Sequence, residues 1–223
     1  MTLSAIERAR RIKIILFDVD GVWTDGTIWL VPAPHPGSSS AETRSGLSKA
    51  AGDIGFGVHS ETMMEAKGYC AHDGTGVALA RLGGIKCGII TKRISETVAQ
   101  RARDLKLEFV YMGVSFKMQP VREIAAKEGV SFDEIAYVGD DVIDLPVMRE
   151  CGLAIAVANA RGRVKAAAHY VTPHAGGDGA GRDAVDFILE AQGLLDKVIE
   201  KYIDEGNEVA PSMDIGGSIA TVS

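Results

Sequence analysis

Cysteine is scarce in this sequence, and basic residues do not outnumber acidic ones. Its three cysteines, Cys70, Cys87 and Cys151, have separations that fit no metal-ligand spacing. An odd number of scattered cysteines is typical of a reducing compartment, so we expect a cytoplasmic protein in which these thiols are small buried apolar groups. The 24 basic and 30 acidic residues give a formal net charge of −6. This balance argues against binding to nucleic acid or to an anionic membrane surface.

Long apolar runs are also missing. No segment reaches the roughly 20 apolar residues that span a bilayer, and the run that follows the first basic cluster stops at Asp18, too early for a signal peptide. What is present is ordinary for one globular domain, with 46% hydrophobic and 24% charged residues. We expect a single domain over residues 1–205, with residues 27–71 inserted as a hairpin and loop, and a flexible tail over residues 206–223.

Short apolar strands alternate with amphipathic helices along most of the chain. Strands are expected at residues 12–17, 85–90, 108–111, 135–138, 153–157 and 169–171. Alternation at this spacing indicates right-handed crossovers and so predicts an α/β fold, with a doubly wound, mostly parallel, Rossmann-like sheet. Asp73 is expected to cap a helix that ends at Leu82, and one long helix is expected over residues 182–204. The inserted hairpin would pair Thr27–Val31 with Ala66–Ala71.

Two aspartates, Asp18 and Asp20, directly follow the first predicted strand. The carboxyl ends of parallel strands are where α/β sheets bind ligands, and Gly21 lets the chain turn so that both carboxylates face one small volume. Two like charges this close repel each other, which implies a bound cation. An oxygen-only, negatively charged pocket suits Mg²⁺.

Other polar residues follow later strands in the same way. Three of them have a plain structural alternative: Thr91 and Asp144 could cap helices, and Lys117 could be a solvated loop lysine. Their placement after successive strands favours one shared site. The candidate residues of these strand ends are Thr91, Lys117, Asp140, Asp141 and Asp144.

Taken together, these motifs resemble those of the haloacid dehalogenase superfamily of aspartate-nucleophile phosphatases. The matching segments are FDVDG, the threonine of IITKR, Lys117 and GDDVID. Within the superfamily, residues 12–193 look most like the 3-deoxy-D-manno-octulosonate 8-phosphate phosphatase family. That likeness is carried by FDVDGVWTDG, EAKGYCAHDGTGV, GIITKRISETVAQRA, VYMGVSFK and VGDDVIDLPVM.

The resemblance implies a role for each candidate residue in a phosphatase that uses Mg²⁺. Asp18 would attack phosphorus and form an aspartyl-phosphate, while Asp20 would act as general acid and base and bind the metal through its backbone carbonyl. Asp140 would complete the metal site, while Asp141 and Asp144 would orient waters, Lys117 and the loop backbone rather than bind the metal. Thr91 and Lys117 would contact the phosphoryl group. The residues expected to bind substrate are His72, Thr91, Lys92, Arg93, Lys117 and Arg182.

The spacing of the motifs leaves no room for a cap domain. Only 25 residues separate Thr91 from Lys117, enough for one helix and one strand, and the earlier insertion holds only the hairpin and its loop. The resemblance implies a homotetramer in which the hairpins form a central barrel and a neighbouring subunit closes each site. It also implies a place in lipopolysaccharide biosynthesis. The alternative for the hairpin is a plain edge hairpin.

Three positions depart from the family pattern. His72 and Asp178 stand where arginine is usual, and Lys92 replaces a glycine. Fewer arginines would weaken binding of a sugar-acid carboxylate. The resemblance nevertheless makes octulosonate 8-phosphate the first expected substrate, followed by a related nonulosonate phosphate or another phosphomonoester. A second class of function is the delta subunit of a phenylphosphate carboxylase. In the long insertion, His35 and His59 are expected to be solvated loop histidines.

Overall fold

The computed structural model describes residues 3–32 and 63–204, which are organised around a six-stranded parallel sheet. The strands are β1 Ile14–Phe17, β2 Trp29–Pro32, β3 Met63–Ala66, β4 Lys86–Ile90, β5 Phe109–Tyr111, β6 Ile135–Gly139, β7 Leu153–Ala156 and β8 Tyr170–Val171. The strand order in the sheet is β5-β4-β1-β6-β7-β8. Every residue of β1 is buried because the strand lies between β4 and β6 and helices flank the sheet. The predicted fold class is confirmed.

The helices of the described residues begin and end largely where sequence signals place them. They are α1 Ala5–Ala9, α2 Ala71–Leu82, α3 Glu96–Asp104, α4 Met118–Glu128, α5 Leu145–Glu150, α6 Gly162–Ala167, α7 Ala180–Ala191 and α8 Leu195–Asp204. In α4, Pro120 lies in the first turn, where its missing N–H costs nothing, and Gly129 ends the helix in the left-handed conformation with φ 65°.

Two helix predictions were wrong. The segment expected as one helix over residues 182–204 is two helices, α7 and α8, because Gly193 adopts φ 68° between them. Asp73 does not cap its own helix, since α2 already begins at Ala71. Its buried carboxylate instead accepts a hydrogen bond from the backbone N–H of Arg182 (2.9 Å) and so satisfies the first turn of α7.

The hairpin is present, but its second strand lies earlier than expected. β2 pairs antiparallel with β3, which ends at Ala66, so the predicted strand Ala66–Ala71 was wrong in its position. The chain after Ala66 instead leads into α2. Three side chains of the hairpin expose apolar surface: Trp29, Leu30 and Met64. The predictions for His35, His59 and the tail over residues 206–223 concern residues outside the described ranges.

Between Thr91 and Lys117 the chain forms only α3 and β5, as the capless prediction requires. Cys87 and Cys151 are buried, whereas Cys70 is only half-buried, so the expectation of three buried thiols was wrong for that residue. None of the helices in the described ranges is long and apolar enough to cross a membrane.

Candidate active site

The carboxyl ends of three neighbouring strands form a cleft of about 170 Å³. Asp18 and Asp20 follow β1, Thr91 follows β4, and Asp140 follows β6; the other lining residues are Lys92, Asp141 and Ile143. The turn after Asp20 depends on Gly21, which has φ +88°. A Cβ at this position would lie 2.4 Å from Asp140 Oδ2, so the glycine lets the β1 loop approach Asp140 closely.

Asp18 is buried and held in one orientation. Its Oδ1 accepts a hydrogen bond from the backbone N–H of Val19 (2.7 Å) and lies 2.8 Å from Lys117 Nζ. Lys117 is only 2% exposed, which excludes the alternative of a solvated loop lysine. A carboxylate fixed at a strand end beside a buried ammonium group is suited to attack an electrophile whose charge the ammonium can offset.

Asp144 organises the groups behind the cleft. Its side chain is fully buried, and Oδ1 accepts hydrogen bonds from Lys117 Nζ (2.7 Å) and the hydroxyl of Tyr137 (2.8 Å). Oδ2 accepts from the backbone N–H groups of Asp140 (3.0 Å) and Asp141 (3.3 Å). The side chain makes no capping hydrogen bond to α5, so the helix-cap alternative for Asp144 does not hold.

The negative charges of the cleft exceed what Lys117 can balance. Burial raises the pKa of Asp18 to about 7, although Lys117 opposes the shift. Burial also raises the pKa of Asp140 to about 7, and the charges of Asp18 and Asp144 add to the effect. Burial alone would lower the pKa of Lys117, but the same two carboxylates raise it, so this lysine is a permanent cation.

The cleft fits a divalent cation. Carboxylate oxygens of Asp18, Asp140 and Asp144 lie within 4.8 Å of one another. Both oxygens of Asp144 already accept two hydrogen bonds each, which leaves Asp18 and Asp140 as the side chains free to ligate. Asp140 Oδ1 is buried and has no hydrogen-bond partner among the described residues. A buried carboxylate oxygen without a partner is costly, and a hard cation such as Mg²⁺ would satisfy it.

Thr91 directly follows the carboxyl end of β4 and is 1% exposed. Its hydroxyl accepts a hydrogen bond from the N–H of Arg93 (3.3 Å), two residues on. The helix that follows begins only at Glu96, so Thr91 does not cap it. The hydroxyl can donate its own proton into the cleft, and Lys92 lines the same wall.

Asp20 is surrounded by charged residues whose contacts with it the sequence motifs did not indicate. Lys67 donates a hydrogen bond to Asp20 Oδ1, and Arg93 Nε lies 3.4 Å from Oδ2. Both cations also approach Glu65, at 3.6 Å from Lys67 Nζ and 3.5 Å from Arg93 Nη1. Glu65 and Lys67 belong to the end of the hairpin. No spacing rule predicts their contact with Asp20, because it depends on how the hairpin folds back over the strand ends.

Two of the predicted substrate-binding residues make contacts elsewhere. Arg182 directs Nε to both carboxylate oxygens of Asp186 (2.7 and 2.8 Å), one turn along α7. His72 lies in the first turn of α2, next to Gly179. The structure therefore gathers Asp18, Asp20, Thr91, Lys92, Arg93, Lys117, Asp140, Asp141 and Asp144 around one cleft, and places His72 and Arg182 where α2 meets α7.

A larger groove, of about 880 Å³, lies at the opposite ends of the strands. It is lined by residues that precede β1, β4 and β6, among them Ile12, Ile85 and Glu134. Glu134 is already paired with Lys13 at 2.6 Å. Since loops at the amino ends of parallel strands rarely carry active sites, the smaller cleft is the candidate for chemistry.

Several known proteins are similar to this chain in both sequence and fold. A family profile described as haloacid dehalogenase-like hydrolase matches residues 87–182. The chain is 34% identical to 3-deoxy-D-manno-octulosonate 8-phosphate phosphatase of Escherichia coli strain K12 over 197 residues, which cover 88% of this chain and 89% of the relative. The crystal structure of the Yersinia pestis phosphatase of the same name is 34% identical, with a TM-score of 0.69 over 86% of this chain and 88% of that one.

A third relative carries ligands. The structure of 3-deoxy-D-manno-octulosonate 8-phosphate phosphatase from Moraxella catarrhalis contains a magnesium ion, a phosphate ion and a KDO molecule. It is 30% identical, with a TM-score of 0.72 over 89% of this chain and 97% of the other.

Proposed function

The chain belongs to the haloacid dehalogenase-like hydrolases and, among them, to the 3-deoxy-D-manno-octulosonate 8-phosphate phosphatase family, and from this membership we propose that its substrate is that sugar-acid phosphate. The enzyme is a Mg²⁺-dependent phosphatase. The main support for the location of the proposed active site is the cluster of Asp18, Lys117 and Asp140 near neighbouring strand ends.

In the proposed mechanism, Asp18 is the nucleophile. Asp18 and Asp140 would hold Mg²⁺, which would neutralise phosphoryl oxygens and let an anionic carboxylate approach an anionic ester. An oxygen of Asp18 bonds to phosphorus while the bond from phosphorus to the sugar oxygen breaks, which gives an aspartyl-phosphate and the sugar alcohol. Lys117, 2.8 Å from Asp18, and the Thr91 hydroxyl stabilise charge on the transferred group.

Asp20 is the general acid in the first half of the reaction and the general base in the second. In the first, its carboxyl group donates a proton to the departing sugar oxygen; in the second, the resulting carboxylate takes a proton from the water that attacks the aspartyl-phosphate. Phosphate leaves and Asp18 and Asp20 return to their starting states. The position of Asp20 on the same loop and in the same cleft as Asp18 supports this role.

A substrate panel with matched variants tests the proposal. Phosphate release from 3-deoxy-D-manno-octulosonate 8-phosphate, a nonulosonate phosphate and simple sugar phosphates would be measured with and without Mg²⁺, for wild type and Asp18→Asn. We expect Mg²⁺-dependent turnover with the octulosonate ester preferred, and a loss of at least about 10³-fold in the variant. Equal phosphate release by the variant would contradict the mechanism, and preference for another ester would contradict the substrate.

We further propose that residues 1–205 form one phosphatase domain and that the hairpin mediates assembly into a homotetramer. Trp29 is 61% exposed and Leu30 49% exposed on a two-stranded sheet, a patch that favours burial against another copy. Light scattering would give the mass of the assembly, and a single 23.6 kDa chain in solution would contradict the homotetramer.

A cytoplasmic location stays a prediction based on the three free cysteines.

A further inference from the structure

We propose that Lys67, delivered by the β2–β3 hairpin, is a positioning residue for Asp20, and that it fixes the carboxyl group which protonates the leaving oxygen. This inference rests on the proposed function, because it assigns a task to Lys67 only if Asp20 is the general acid. It assigns that task to a residue outside the strand-end motifs.

The contacts of Lys67 are those of a residue fixed in place. Its side chain is fully buried, although Asp20 is 30% exposed. The ammonium group donates a hydrogen bond to Asp20 Oδ1 and lies 3.6 Å from Glu65 Oε1. A buried ammonium group is stable only when it is paired, and Lys67 is paired between the hairpin and the β1 loop.

Arg93, a second cation near Asp20, is placed less favourably to orient it. Arg93 Nε lies 3.4 Å from Asp20 Oδ2, yet this nitrogen makes no hydrogen bond within the described ranges. The guanidinium also pairs with Glu65 through Nη1 at 3.5 Å. Lys67 therefore fixes the direction of the Asp20 carboxyl group, while Arg93 contributes charge.

Glu65 anchors the lysine to the rest of the protein. Its Oε1 accepts a hydrogen bond from the hydroxyl of Ser95 (2.6 Å), the residue before α3. The chain of contacts thus runs from Ser95 through Glu65 and Lys67 to Asp20. The end of β3 is thereby held against the strand ends of the sheet, and Lys67 supplies a polar contact that a general acid needs in order to point at one atom.

The leaving group provides a test that a purely structural role would not pass. An alkyl phosphate such as a sugar ester needs a proton on its departing oxygen, whereas p-nitrophenolate is a weak base that leaves without one. Mispositioning Asp20 should therefore slow the first step for the alkyl ester alone. The constant kcat/KM reports this step, because it ends with release of the alcohol.

The experiment compares wild type with Lys67→Met, a variant of similar length, and with Lys67→Arg, which keeps a cation. For Lys67→Met we expect kcat/KM to fall about 10- to 100-fold with the sugar-acid phosphate but less than about threefold with p-nitrophenyl phosphate. For Lys67→Arg we expect most of the activity on the sugar-acid phosphate to return. Equal losses on both esters, or an unchanged alkyl rate, would overturn the proposal.

Folding is monitored by circular dichroism and by thermal unfolding. If Lys67→Met does not fold, it is combined with Glu65→Gln, which removes the carboxylate charge that the lost ammonium group leaves behind, and the same unequal loss on the two esters is expected. Wild type that hydrolyses both esters while a folded variant loses them equally would overturn the role of Lys67 alone. Wild type that hydrolyses neither ester would overturn the proposed function and this inference together.

Discussion

Asp144 is a single residue on which four groups of the site depend. Its two oxygens orient the ammonium of Lys117, the hydroxyl of Tyr137 and the backbone of the loop that carries Asp140 and Asp141. Because the Asp144 side chain is fully buried, each lost hydrogen bond would leave part of its charge unsatisfied. The resemblance implies that Asp144 orients Lys117 and the loop backbone, and its side chain contacts both. No motif indicated the further contact with Tyr137.

Removing the hydroxyl of Tyr137 tests this network with little change in shape. Tyr137→Phe deletes one buried hydrogen bond to a carboxylate, so we expect the free energy of unfolding to fall by about 2 kcal/mol. We also expect kcat to fall by about tenfold, because Asp144 would hold Lys117 less firmly. Urea denaturation and steady-state kinetics measure the two effects.

Tyr170→Phe is the matched control. Tyr170 lies on the edge strand β8, where its ring stacks on Phe187 at a centroid distance of 4.0 Å. We expect its loss of stability to stay below about 0.5 kcal/mol, with no change in kcat. If Tyr137→Phe behaved like this control, the hydroxyl would have no part in the network.

At the scale of elements, the loop between β8 and α7 supports the β1 loop from behind. Gly176 donates its N–H to Asn159 Oδ1 (2.8 Å), and Asn159 donates in turn to the carbonyl of Gly21 (3.3 Å). Gly177 donates to the carbonyl of Val22 (3.3 Å). The backbones are so close that a Cβ on Gly176 would lie 1.8 Å from the Gly21 carbonyl oxygen.

This close approach makes Gly176 a test of how loop packing sets the position of Asp18 and Asp20. Gly176→Ala should push the β1 loop away, with a loss of about 1 to 3 kcal/mol in stability and a fall in kcat/KM of about tenfold or more. The control is Gly162→Ala, at the first position of α6, where no heavy atom would lie within 4 Å of the new Cβ. Equal effects of both changes, by thermal unfolding and kinetics, would argue against the close packing.

The sequence indicates elements well where one local signal decides them. Strand alternation predicted the parallel sheet, and Gly129 predicted the end of α4. Prediction from the sequence failed where a contact with a distant residue, or the conformation of a single glycine, determines the structure. The partner of Asp73 is Arg182, 109 residues away, and Gly193 divides a stretch whose apolar pattern continues through it. Lys67 likewise acquires its function only from the fold of the hairpin.

For the whole molecule, the metal site ties stability to pH. In the folded, metal-free protein, burial raises the pKa of Asp18 and of Asp140 to about 7, whereas the pKa of aspartate in the unfolded chain is about 3.9. At pH values between these two, the folded state therefore binds more protons than the unfolded state. The free energy of unfolding of the metal-free protein should fall as the pH rises from about 4 to about 7.

Magnesium should reverse this loss where the carboxylates are ionised. At pH 8 and a concentration about 100 times the dissociation constant, we expect Mg²⁺ to stabilise the protein by about 2.7 kcal/mol, and at pH 5 by much less because protons compete. Thermal unfolding with Mg²⁺ or a chelator measures the difference, with Asp140→Asn as the control that should lose it. A Mg²⁺ shift that was equal at both pH values, or that persisted in Asp140→Asn, would place the ion elsewhere.

The central claim is that Asp18 becomes phosphorylated during turnover, and the direct measurement uses Asp20→Asn with ³²P-labelled p-nitrophenyl phosphate and Mg²⁺. The first step needs no acid with this ester, while hydrolysis of the intermediate lacks its base, so the aspartyl-phosphate should accumulate. The account predicts a burst of about one equivalent of p-nitrophenolate and acid-stable label on the peptide that contains Asp18. Turnover with no label on the protein, or label on another residue, would contradict it.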